Sequence, residues 1–208
     1  MARNPLDLYQ EHFVDKDFER LDLFRLLRGK FAIRSAIYPG SFVHVTPSFV
    51  FSDTAYVEMD KRARKYFEHS ELKEFVSSRK DYSGEAKIRY YAQDYQNEIE
   101  GEDERYDLLI SQYAGFISKH CKRYLKIGGI LLVNNSHGDA SMASIDDSYE
   151  FIAVVLKSGS KHRLSEENLS EYFVPKKEVD LTEEYLEKIQ KGIGYKKTAS
   201  SYIFQRVR

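Results

Sequence analysis

The sequence predicts an α/β fold, a three-layer α/β/α sandwich with a mostly parallel sheet and an antiparallel closing strand. Three observations predict it. Short runs rich in aliphatic, β-branched or aromatic residues alternate with amphipathic segments along most of the chain. The stretch 33–60, IRSAIYPGSFVHVTPSFVFSDTAYVEMD, has the pattern of a strand, a Pro-Gly-Ser turn, a short helical connection and a second strand closing at Asp60. The last two strands are separated by a long insertion rather than by one crossover helix, which suits an antiparallel pair at the sheet's edge.

In order, residues 5–28 place Leu6, Leu8, Tyr9, Phe13, Phe18, Leu21, Phe24, Leu26 and Leu27 at mostly helical spacing, so residues 1–30 are expected to form a helical extension. Residues 31–208 are expected to form the main domain. Ile33–Tyr38 is the first strand. Val43–Phe51 is a short helix with Pro47 in its first turn or at a break. Thr54–Met59 is β-rich and forms the second strand. Asp60 can cap the next helix, which carries Ala63, Tyr66, Phe67, Leu72, Phe75 and Val76 on one side and ends by Gly84.

Ala86–Ala92 alternates and is the third strand; Tyr106–Ser111 is a fourth, apolar strand. Phe116–Ile127 has an amphipathic helical pattern with Ile117, Cys121, Tyr124 and Leu125 inward, and Gly128-Gly129 is its expected C-cap. Ile130–Val133 and Glu150–Leu156 are further strands, two helices are expected near 165–173 and 181–191, and Ser200–Val207 closes the chain.

The composition limits function. At 208 residues the chain supports one well-buried domain, and 42% hydrophobic against 31% charged residues argues against wholesale disorder. A net charge of -1 gives no global attraction to nucleic acid or anionic membranes. The single cysteine, Cys121, excludes an intrachain disulfide and suits a reducing compartment. With no signal-peptide pattern and no apolar run of membrane-spanning length, a cytoplasmic protein is expected.

Metal binding draws little support, because the six histidines are spread without an HxH or HExxH pair. No GxSxG elbow or P-loop occurs, and Cys121 fits a small core residue. Lys161-His162-Arg163 and Lys196-Lys197 are short basic clusters of the kind that normally face solvent.

The polar residues concentrate at the carboxyl ends of expected strands, where open α/β sheets bind ligands. Asn134-Asn135-Ser136-His137-Gly138-Asp139 is the densest such cluster. It has two readings: a turn built from Asn, Gly and Asp for backbone reasons, or a site in which Asp139 supports His137 as a general base. Asp94 is a plain loop acid or a ligand contact. Asp60 can be a cap and a ligand contact at once.

The segment order over roughly 31–208, with YPGS after the first strand, Asp60 near the end of the second, AQDY after the third and YLKIGGILLVNNS around the fifth, resembles the class I S-adenosylmethionine-dependent methyltransferases. That resemblance implies S-adenosylmethionine as cofactor and an unidentified methyl acceptor, a small molecule being favoured. It implies that Tyr38, Pro39, Gly40 and Ser41 contact the methionine part. Asp60, with Glu58 as near neighbour, would take the ribose hydroxyls, Asp94 beside Tyr95 the adenine, and Ser111 would lie beneath the reacting methyl. Gln112, Tyr113 and Asn135 would border the acceptor, with His137 and Asn134 as catalytic candidates. Tyr38 is either a wall aromatic or a cation–π partner of the sulfonium. The first loop departs from the family, with Tyr38 and Pro39 where glycines are usual, and is correspondingly bulkier and stiffer. Two other functions are compatible with the same residues: an inactive methyltransferase-like binding or assembly module, and a different nucleotide-using enzyme.

Overall fold

The computed structural model of the chain describes residues 4–208, and the chain divides into two compact units, 1–99 and 100–208. The helical extension expected over 1–30 begins with three residues outside the described ones; its described part belongs to the first unit. It consists of α1 (Asp7–Tyr9), a π-helical turn over Gln10–Val14 and α2 (Leu21–Phe31). Leu23, Phe24 and Leu27 of α2 are buried, as the spacing of its apolar face requires.

The first unit contains three parallel strands, β1 (Ser35–Pro39), β2 (Asp53–Val57) and β3 (Lys87–Tyr91), in the order β3-β2-β1. Ser35 pairs with Asp53, and Asp53 with Lys87. Every residue of β1 is buried, which is how a parallel strand covered on both faces accommodates a continuous apolar run. Between β1 and β2 lies α3 (Pro47–Val50), with Pro47 at its start, where the missing N–H would have had no helical partner anyway.

The second strand ends at Val57, two residues before the expected Met59. Glu58 is therefore the first residue past it. Asp60 is the N-cap of α4 (Lys61–Phe67), accepting the Arg62 N–H at 2.7 Å. The single helix expected after Asp60 is two, α4 and α5 (Leu72–Arg79). Phe67 stacks on Tyr56 of β2 and Tyr90 of β3, with ring centroids 4.6 and 4.9 Å apart, and so fixes α4 on the sheet.

The second unit contains β4 (Tyr106–Ser111), α6 (Ile117–His120), β5 (Leu125–Val133), α7 (Asp139–Ile145), β6 (Tyr149–Ser158), β7 (Lys161–Ser165), α8 (Glu183–Ile189) and β8 (Ser201–Arg206). Its strands run in the order β4-β5-β8-β6-β7, with β4 and β5 parallel and the closing strands antiparallel. Among the described residues, then, eight strands make the predicted α/β fold, parallel apart from its closing region. β7 was not foreseen, because its sequence, KHRLS, is polar and sits at the outer end of the order. Nor was α7, whose seven residues are too few to show a period. The first of the two helices expected in the insertion is only a 3-10 turn at Leu169–Glu171.

The expected helix through Ile127 does not form. The chain leaves α6 at His120, makes a 3-10 turn over Lys122–Tyr124 and enters β5 at Leu125. Gly128, at φ +80°, lies inside the strand, where the register with β4 slips. A Cβ on Gly129 would lie 2.8 Å from the Lys126 carbonyl oxygen. The glycine pair serves an irregular strand rather than a helix end.

Candidate functional site

At the carboxyl ends of β1 and β2 one carboxylate organises the first unit's edge. Gly40, at φ +67°, donates its N–H to the Val57 carbonyl at 2.9 Å, turning the chain back over the end of β2. Phe42 follows at φ +50°, a conformation that is costly for a bulky residue, and its N–H is held by Glu58 Oε2 at 2.9 Å. Glu58 Oε1 accepts the N–H groups of Met59 at 2.8 Å and Asp60 at 3.1 Å. The carboxylate thus ties the loop after β1 to the turn after β2. A carboxylate has about four lone-pair sites. Three are used here, and Oε2 accepts only one of them.

Asp60 is committed elsewhere. Its oxygens cap α4 and meet the Arg62 guanidinium at 2.7 Å, and hydrogen bonding to Arg62 holds its carboxyl below the usual carboxylate range. Arg62 in turn lies 4.8 Å over the Phe42 ring, whose other neighbour is the edge-on ring of His12 at 5.0 Å. Beyond β3, Asp94 Oδ1 accepts the Gln96 N–H at 2.9 Å in an Asx turn, while Oδ2 makes no bond among the described residues. Tyr95 beside it is half-buried.

Tyr38 is a buried aromatic within β1. It is 3% exposed and its hydroxyl reaches His44 Nδ1 at 3.3 Å. His44 Nε2 faces the Glu19 carbonyl at 3.0 Å, so Nε2 carries the proton and Nδ1 accepts from Tyr38. Burial, then the nearby Arg20 charge, pushes the His44 pKa down to about 3, and the ring stacks neutral on Phe13 at 4.3 Å. Pro39 and Ser41 are buried too, the Ser41 hydroxyl donating to the Phe42 carbonyl at 3.1 Å. Glu19, Phe13 and His12 all belong to the N-terminal segment, which therefore braces the first loop from beneath.

In the second unit the edge is built from the ends of β4 and β5. The Ser111 hydroxyl donates to Asp139 Oδ2, and Asp139 also takes the Ser118 hydroxyl and, at 3.1 Å, the Ser118 N–H. Burial raises the Asp139 pKa to about 6 against the lowering effect of those bonds. Asp139 is 1% exposed and does not support His137. The imidazole of His137 is exposed, and its Nδ1 lies 3.0 Å from the Ser136 hydroxyl. The expected His137–Asp139 pair is not formed, because residue 139 opens α7 and turns inward.

Asn134 is buried and holds the loop: its Oδ1 accepts from the Ser136 hydroxyl at 2.9 Å and the Tyr113 N–H at 3.4 Å. Gln112, also buried, lies within hydrogen-bond reach of Ser201. Tyr113 is 53% exposed at φ +61°, a strained backbone that presents an aromatic ring to solvent. Asn135 is a clasp: its Nδ2 donates to the Ile193 carbonyl at 3.1 Å, and its Oδ1 accepts from the Ser141 hydroxyl, to which Tyr195 also donates at 2.7 Å. Gly192 packs so closely here that a Cβ would lie 1.9 Å from the Asn135 carbonyl oxygen. The helical insertion is thereby fastened onto the Asn134–Asp139 loop.

The structure thus gathers Tyr38 to Ser41 with Glu58 and Asp60 on one edge, and Ser111 to Tyr113 with Asn134 to His137 on another. Ser118 was missed; nothing in its sequence context distinguishes it. Among the described residues, no group of three or more His, Cys, Asp or Glu is placed to hold a metal ion, and no helix is long and apolar enough to cross a membrane.

No family model matches the sequence, and no curated protein is similar to it. Among solved structures, an O-methyltransferase from Bacillus cereus in complex with SAH is similar over 79% of this chain and 89% of that chain, at 10% identity and a TM-score of 0.50. A methyltransferase from Geobacter sulfurreducens covers 79% of this chain and 89% of that chain, at 11% identity and a TM-score of 0.49. The first likeness shows the fold: a class I methyltransferase-like Rossmann fold.

Proposed function

We propose that the protein is an S-adenosylmethionine-dependent methyltransferase with a small-molecule acceptor. The observation that carries this reading is Glu58, a carboxylate just past β2 that organises the loop after β1 and keeps one acceptor position open. Carboxyl ends of strands are where this class of sheet receives nucleosides. The residues fit the nucleoside end of the cofactor: Glu58 would accept a ribose hydroxyl, and Asp94 Oδ2 has the capacity to accept from the adenine amino group. Asp60 is better assigned to capping α4 and holding Arg62.

Fit at the methionine end would come from the backbone of residues 39–41, since the Tyr38 hydroxyl is occupied by His44. The cofactor supplies an electrophilic methyl group on a sulfonium. The chain's own part is to bind, align and exclude water, and alignment alone supplies much of the rate in such a displacement. Tyr113 offers an exposed ring to a flat acceptor. Asn134 holds the Tyr113 N–H and Ser136, and His137 Nε2 would take the acceptor's proton where one must leave.

Titration calorimetry with S-adenosylmethionine and S-adenosylhomocysteine tests the reading. Saturable one-to-one binding of both is expected. No heat and no thermal stabilisation at millimolar ligand would contradict it.

A further inference from the structure

Several cations of the second unit are neutralised by acids. Lys122 meets Asp146, Arg123 meets Asp103 and Lys126 meets Asp107, each within 2.7 Å. The hairpin of β6 and β7 is different. Lys157, Lys161 and Arg163 are exposed there, and their side chains make no hydrogen bond or ion pair among the described residues. No acid occurs from residue 156 to residue 165; Glu166 and Glu167 follow only past the far end of β7.

The strand register places these cations over the carboxyl edge. β8 pairs with β6 only as far as Val155, opposite Ser201, so Leu156, Lys157 and Ser158 pair with β7 alone. The hairpin therefore overhangs the sheet by about 10 Å. Its two-residue turn, Gly159-Ser160, with Gly159 at φ +60°, keeps the arm short. The same edge carries the acceptor candidates. The Gln112 amide lies 3.3 Å from the Ser201 hydroxyl, and the Ser200 N–H and hydroxyl reach the Val155 carbonyl at 3.0 and 2.7 Å. β4, which leads to Tyr113, and β6 are three strand spacings apart, roughly 14 Å before the reach of the lysine side chains is subtracted.

We propose that this hairpin is an anion-binding arm and that the methyl acceptor carries a phosphate group, held by Lys157, Lys161 and Arg163 while its reacting end lies at Tyr113. The acceptor role rests on the methyltransferase reading. Charge on an outer strand also deters pairing with another sheet, but acids interspersed with the cations would do that equally well; a single sign over ten residues is what an anion site needs. A phosphate monoester carries nearly two charges and three acceptor oxygens, which answer three unpaired cations better than one carboxylate does. The patch is confined to one hairpin and the chain's net charge is -1, so it suits a small molecule rather than the long backbone of a nucleic acid.

The test is titration calorimetry with inorganic pyrophosphate at low ionic strength. It compares wild type, the triple variant Lys157→Gln/Lys161→Gln/Arg163→Gln, and Lys188→Gln, which removes an exposed cation of α8. All four side chains are exposed, so the variants are expected to fold. Saturable binding by wild type is expected, weakened about tenfold or more in the triple variant and about twofold or less in Lys188→Gln, and largely lost at about 1 M salt. No saturable binding by wild type, or equal weakening by both variants, would overturn the inference. A single-stranded oligonucleotide that binds far more tightly than pyrophosphate, and is lost in the triple variant, would overturn the small acceptor and assign the arm to nucleic acid. Wild type that binds pyrophosphate at the arm but not S-adenosylhomocysteine would refute the methyltransferase reading, and the acceptor role with it, while the anion site stands.

Discussion

Glu58 and Asp139 are carboxylates at the carboxyl edges of two different units, each tying its surroundings together through three or more donors, yet their settings are opposite. Glu58 is half-buried and takes only backbone N–H groups, with a single donor on Oε2. Asp139 is sealed, takes two hydroxyls and an N–H, and has its proton affinity raised by burial. A carboxylate with open lone pairs can still accept a donor; one sealed with its donors satisfied holds its own elements together. The loops they hold differ in the same way. The first edge rests on hydrogen bonds around a strained Phe42, while the second is clamped by close backbone packing at Gly192.

The clamp gives the largest expected effect. Gly192→Ala forces a methyl group against the Asn135 carbonyl and is predicted to cost about 3 kcal/mol, measured by urea unfolding. A loss well under that would show that the insertion can retreat, and the contrast between a clamped edge and a hydrogen-bonded one would fail.

Asp139 gives a pH dependence of similar size. Its folded pKa, about 6, lies above the ordinary 3.8, so the folded state holds this proton more tightly. The associated stability is present below pH 4 and lost as the pH rises through 6, roughly 3 kcal/mol in all. Unfolding midpoints are predicted to rise between pH 6.5 and pH 4.5 in the wild type, and Asp139→Asn to flatten that rise. An unchanged slope in the variant would remove Asp139 as its source.

Glu58→Ala leaves three backbone N–H groups without their acceptor, and a loss of about 2 kcal/mol is predicted, because those groups are partly solvated. Asp60→Ala removes a helix cap and is predicted to cost about 1 kcal/mol. Reversal of that order in thermal unfolding would make Asp60, not Glu58, the centre of the first edge.

Much of the first edge was legible in the sequence. The Pro39-Gly40 turn, Pro47 at the start of α3 and Asp60 as an N-cap each follow from local backbone chemistry. The strand end was placed beyond Glu58 because TAYVEM continues the β-pattern, whereas pairing with β3 stops at Val57. The second edge was far less legible. Gly128-Gly129 has the local signature of a helix end, and only the pairing of β5 with β4 and β8 shows it to lie within a strand. Asp139 stands two residues from His137, and sequence proximity suggested a pair. The direction of its side chain depends on Ser111 and Ser118, 28 and 21 residues away. Asn135 reads as a polar loop residue until the insertion is seen to close on it.

The most direct measurement is the affinity of S-adenosylhomocysteine for wild type, Glu58→Gln and Asp60→Asn, each confirmed folded by circular dichroism. The account predicts micromolar binding by wild type, about tenfold or greater weakening by Glu58→Gln, where the hydroxyl acceptor loses its charge, and less than threefold change with Asp60→Asn. Wild type that does not bind, or binding that is lost with Asp60→Asn and kept with Glu58→Gln, would contradict it.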